Sequence, residues 1–129
     1  MKGHAGDTWL RDAEQQDWKN AYFHVGQAVE FAIKAIYLKQ NSLNEWPSAM
    51  KGAAFHDLGK CASLCGLDDT IQHENDELIA SWKVAIDWQS SNRFPGMSVR
   101  EREAKDLCAA VNNPTNGVMK WLRARYQMI

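Results

Sequence analysis

Several things are scarce in this sequence, and each scarcity removes a class of protein. Long apolar runs are missing: the most apolar stretch is interrupted by Glu30 and Lys34, so no membrane span is expected. The opening Met-Lys-Gly-His-Ala-Gly-Asp carries no apolar core of the kind a secretory signal needs. Cysteine is sparse and odd in number, three in all, which fits a reduced cytoplasmic chain better than a disulfide framework. An excess of one charge is also missing. Fifteen Lys and Arg against sixteen Asp and Glu leave a net charge of −1, so no global field draws the chain to duplex DNA or to a membrane surface. No segment alternates apolar and polar residues with β-branched enrichment, so no strands are expected.

What is present is the material of one domain. At 129 residues the chain is long enough to bury its own core, and 45% hydrophobic residues are too many for a disordered chain. Six tryptophans are spread from Trp9 to Trp121, more than so small a core is expected to bury, which leaves one or two for an interface, and a surface between Trp18, Trp46, Trp88 and Trp121 is a candidate for stacking bases or docking a partner helix. Turn-forming residues cluster at 41–55, 66–69, 90–96 and 112–117, and the stretches between them read as helices. A first helix is expected from Asp7, bearing Trp9, Leu10 and Ala13, and a second over 17–40. That second helix has one apolar stripe of Val25, Ala28, Val29, Ala32 and Ile36. A second stripe of Phe23, Gly26, Ile33 and Tyr37 lies beside it, as expected of a central, buried helix. Glu30 and Lys34 are spaced for a modest i, i+4 ion pair. Further helices are expected over 56–65, from Asp68 or Asp69 to 89, from Ser98 with Glu101 as capping partner, and from Asn113-Pro114 to about Tyr126. The fold class predicted is all-α, an up-and-down bundle of four to five helices in one domain over 1–129.

Charge is uneven along this chain. Residues 68–87 hold six acids and one base, while 93–125 hold seven bases and three acids. Acids early and bases late in a helix complement its dipole. The bases Arg93, Arg100, Arg102, Lys120, Arg123 and Arg125 also form a candidate basic end.

Three segments carry the strongest motif signal: Gln27-Ala-Val-Glu30-Phe-Ala-Ile-Lys34-Ala35, then Phe55-His56-Asp57-Leu58, then Asn92-Arg93-Phe94-Pro95-Gly96. In this order and spacing they resemble the HEPN family of small helical domains, over most of the chain from the second helix onward. The resemblance implies a helical bundle, commonly a homodimer, tied to RNA or nucleotide biology. It also implies ribonuclease activity in some members and, in others, a non-catalytic partnership with a small nucleotidyltransferase in toxin–antitoxin or defence systems. Active members carry an arginine followed a few residues later by histidine. Here Arg93 is followed at the matching positions by Ser98, Val99 and Arg100, so the expectation is binding rather than cleavage, with no catalytic residue, metal or cofactor assigned. The residues expected to contact phosphate or an acidic partner surface are Arg93 with Asn92, then Lys34, then Arg100 and Arg102.

Two enzyme readings stand behind this one. Arg93 paired with a histidine from elsewhere in a dimer, such as His56, gives an unconventional nuclease. His24, His56 and Asp57 with Asp87 or Asp106 give an HD-type metal-dependent phosphohydrolase. A structural role for His56 and Asp57, with Asp57 at a helix start and the imidazole hydrogen-bonded locally, ranks ahead of the metal site. Cys61, Cys65 and Cys108 are read as core residues.

Overall fold

The computed structural model describes the backbone of residues 4–88 and 100–129, and the side chains of 17–52, 54–88 and 100–129. Among these residues the chain is all-helical: α1 His4–Gln40, α2 Leu58–Leu64, α3 Leu67–Thr70, α4 Asp76–Ile86, α5 Glu101–Asn112 and α6 Val118–Gln127, with 3₁₀ turns at Ala53–His56 and Ile71–His73. No described helix is long and apolar enough to cross a membrane.

α1 is one helix of 37 residues, about 55 Å long, where two were expected. The join at 14–17, Glu-Gln-Gln-Asp, contains neither proline nor glycine, and good helix formers carry the chain straight through. Its buried seam is Tyr22, Gly26, Val29, Ile33 and Ile36, spaced by alternate fours and threes. The two expected stripes are thus replaced by a single seam that draws from both. Ala28 is exposed and Phe31 is 64% exposed, so one side of α1 is open rather than enclosed.

The helix stops in a Schellman arrangement. Leu43 N–H donates to Leu38 C=O (2.9 Å), Ser42 N–H donates to Lys39 C=O (3.4 Å), and Ser42 takes the left-handed φ of 54° that glycine more often fills. The region expected as one helix over 68–89 is broken at Asn75. Its side chain accepts from Leu78 N–H (2.8 Å) to start α4, with Asp76 and Glu77 in the first turn. The cap of α5 falls two residues later than expected: Arg100 is the N-cap, and its N–H donates to the Glu103 carboxylate at 3.3 Å. The expected start at Ser98 lies outside the described residues. Asn113 does not open α6 either. Its carboxamide accepts from Thr115 and Asn116 N–H (both 2.8 Å), closing a turn around Pro114, and α6 begins after Gly117.

The core runs along α1, which is packed by α2, α5 and α6, with α4 against α5. Trp82 and Trp121 meet edge-to-face at 5.4 Å, and Trp88 lies against Tyr22 at 6.5 Å. Trp82, Trp88 and Trp121 are all buried, which removes Trp88 and Trp121 from the expected surface set and leaves Trp18 and Trp46 half-buried. Trp88 fits because Gly26 has no side chain: a Cβ there would lie 2.0 Å from the indole Cε2.

Candidate functional site

Glu30 is the one charged side chain that is buried among the described residues, at 3% exposure. An ionised carboxylate in that position needs partners, because desolvation would otherwise cost several kcal/mol. Two partners converge on one oxygen: Lys34 Nζ donates to Oε2 at 2.9 Å from one turn along α1, and His56 Nδ1 meets the same atom at 2.9 Å from the end of the first 3₁₀ turn. The expected Glu30–Lys34 pair is therefore present. The imidazole, however, bonds across 26 residues to α1 rather than locally, because the turn at Ala53–His56 delivers it directly over Glu30.

A carboxylate only accepts, so Nδ1 carries a hydrogen and the ring presents Nε2 outward. His56 is 44% exposed, and Nε2 makes no hydrogen bond among the described residues. Asp57 is the N-cap of α2 and accepts from Lys60 N–H at 3.0 Å, the structural role expected of it.

An aromatic wall flanks this cluster. Lys34 Nζ lies 4.9 Å from the centre of the Trp46 ring, and Lys60 Nζ lies 5.4 Å from that of Phe55. Trp46 also meets Tyr37 at 5.3 Å and Phe55 at 6.5 Å, and its indole N–H donates to Met50 C=O at 2.7 Å, which fixes the ring. Beneath it Cys61 donates to Phe55 C=O at 3.3 Å. Burial foremost pushes the Cys61 thiol up, and burial pushes Cys65 up to about 11 and raises Cys108 as well. All three stay thiols at neutral pH, in keeping with a packing role rather than a nucleophilic one.

The other expected site residues lie apart from this cluster. Arg100 and Arg102 are exposed on the first turn of α5, paired loosely with Glu103 (3.4 Å) and Asp106 (3.7 Å). Lys105 of the same helix sits over Trp18, which is about 24 Å of helix from Lys34 along α1. Asn92 and Arg93 lie outside the described residues. The ligand set of the HD-type reading does not assemble: among the described residues no three His, Cys, Asp or Glu side chains are grouped to hold a metal ion. His24 is exposed on α1, Asp57 is used as a cap, and Asp87 and Asp106 line a cavity beside Tyr22 and Trp88.

Phe55 belongs to a motif segment that Lys60 follows, and Trp46 is among the tryptophans expected at a surface, whereas Tyr37 reads only as part of a helix stripe. Two aromatics and a lysine bracket the His-Asp pair, and only the loop over 41–52 brings Trp46 back to Tyr37. Comparison with protein-family models, with curated proteins and with solved structures finds no match to this chain.

Proposed function

We propose that this chain is a HEPN-like helical bundle that acts as a homodimer and binds RNA or nucleotide without cleaving it. One observation carries the reading. Two of the three segments on which the resemblance rests, the Gln27–Ala35 helix and the Phe55-His56-Asp57-Leu58 element, meet in a single hydrogen-bonded cluster at Glu30 Oε2. The missing histidine after Arg93 supports binding over turnover, since proton transfer from a positioned group is the step such cleavage needs.

The test is a titration of the full chain against a 5′-labelled single-stranded RNA, followed by anisotropy and by gel, with and without EDTA. The reading predicts salt-sensitive binding of RNA that stays intact. Absence of binding overturns it, and so does cleavage. Cleavage that survives EDTA would point to the Arg93–His56 nuclease, and cleavage abolished by EDTA to the metal-dependent one.

The homodimer belongs to this reading, and one surface favours it. Exposed Phe31 stands beside an apolar groove of about 210 Å³ lined by Ala32, Ala35, Leu122 and Tyr126. A knob and its hole on one face suit a two-fold contact, and the same face suits a nucleotidyltransferase partner. Light scattering on the wild type and on Phe31→Glu tests it. A dimer that dissociates supports the assignment; a monomeric wild type or an undisturbed dimer contradicts it.

A further inference from the structure

Resting on the RNA- or nucleotide-binding reading above, we infer that the cluster over Glu30 is a nucleoside monophosphate subsite, in which His56 and Lys60 hold the phosphate and the Trp46–Phe55 wall takes the base.

The charges decide where an anion goes. Glu30 and Lys34 neutralise each other at 2.9 Å, and Lys34 is only 16% exposed, so this pair fixes the floor of the site rather than reaching the ligand. Lys60 differs. Its ammonium is exposed and, among the described residues, has no carboxylate partner, because the neighbouring Asp57 carboxylate is occupied by the backbone of α2. His56 adds a second group that faces outward, held in one tautomer by Glu30. To donate to a phosphate oxygen the ring carries hydrogens on both nitrogens, one held by Glu30 at Nδ1 and the other by the ligand at Nε2. The imidazole meets Glu30 of α1, whose Oε2 also takes Lys34, and the exposed Lys60 adds a cation that this pair does not neutralise.

The rings decide what the anion is attached to. Trp46 and Phe55 are half-buried rather than sunk in the core, and the Trp46 N–H is already used by Met50 C=O. What Trp46 retains for a ligand is apolar ring surface, which suits a flat base and gives no reason to prefer one base over another. Free phosphate would leave that surface unused, and a nucleoside would leave the cations unused. A unit carrying both uses all four side chains, whether it is a free nucleotide or part of an RNA strand.

The experiment is calorimetry and ¹⁵N-resolved NMR on the full chain with AMP, adenosine, inorganic phosphate and a short single-stranded RNA, for the wild type and for Trp46→Leu, Lys60→Glu and His56→Gln. Circular dichroism checks that each variant is folded. AMP is expected to bind at least tenfold more tightly than adenosine or phosphate, and to move the Trp46 indole and His56 imidazole signals. Trp46→Leu and Lys60→Glu should each weaken AMP roughly 10-fold or more, from the typical worth of a stacked base or of a charged hydrogen bond. RNA bound more tightly than AMP, with the same sensitivity to the variants, assigns the subsite to a strand; AMP bound as tightly as RNA assigns it to free nucleotide. Wild-type binding that survives in Trp46→Leu and Lys60→Glu within twofold overturns the subsite and leaves the binding function standing elsewhere on the chain. Phosphate binding as tightly as AMP overturns the base contact. A wild type that binds neither AMP nor RNA overturns both.

Discussion

Gly26→Ala sets two well-understood effects against each other. Alanine in place of glycine inside a helix stabilises by roughly 1 kcal/mol, because the glycine backbone loses more freedom on folding. At this position the added methyl would fall 2.0 Å from Cε2 and 2.3 Å from Cδ2 of Trp88, where real contacts do not come below 3.0 Å. The indole is 1% exposed and packed on Tyr22, so it has to shift by about an ångström or leave the core. Displacing a buried aromatic costs about 3–5 kcal/mol, and overpacking with partial relief costs about 1–3 kcal/mol. The packing loss exceeds the helix gain, and the expected net effect is a destabilisation of about 2 kcal/mol. Urea unfolding with fluorescence detection measures it, and a midpoint loss near 5–10 °C should accompany it. Trp88→Leu removes the clash, so Gly26→Ala in that background should be neutral or stabilising. A Gly26→Ala single variant as stable as the wild type would refute the close approach of α1 to Trp88, and with it the anchoring of the residue that precedes the Asn92–Arg93 segment.

Three further outcomes follow from the same structure. Lys34→Met removes one charged partner of the buried Glu30 carboxylate and should cost about 2–4 kcal/mol, while Lys34→Met with Glu30→Leu should recover most of that loss in a double-mutant cycle. Ser42→Gly relieves the left-handed residue that ends α1, at φ 54°, and should raise stability by about 0.5–1 kcal/mol in thermal or urea unfolding. Cys65, raised by burial from its ordinary value near 9 to about 11, should resist iodoacetamide at pH 8 until the chain is unfolded. Because unfolding frees that thiol to ionise, the folded chain binds more protons between these values, and its stability should fall as pH rises from 9 toward 11.

The helices were legible in the sequence because apolar spacing and capping chemistry are local. Glu30 and Lys34 announced their pair by i, i+4 spacing, and Asp57 announced its cap. The ends of the elements were less legible. Residues 14–17 offer no breaker, so the helix runs on, although Asp17 resembles a start. Asn113 looks like a cap but closes a turn, while Asn75, inside a stretch that reads as one helix, opens α4. The site was half-legible. Lys34 and His56 each lie in a motif, but their meeting at one oxygen of Glu30 depends on a loop of residues 41–52 whose path no periodicity records. Trp46 in that loop reads as a spare aromatic until Tyr37 and Lys34 are seen against it.

The most direct test of the account lies in the ring of His56. Long-range ¹H–¹⁵N NMR of the full chain, assigned with His56→Gln, reads which nitrogen carries the proton and whether a ligand reaches the other. The account predicts a hydrogen on Nδ1, held by Glu30, and an Nε2 signal that moves on addition of AMP. A ring with no hydrogen on Nδ1, or one indifferent to saturating AMP and RNA, would contradict it.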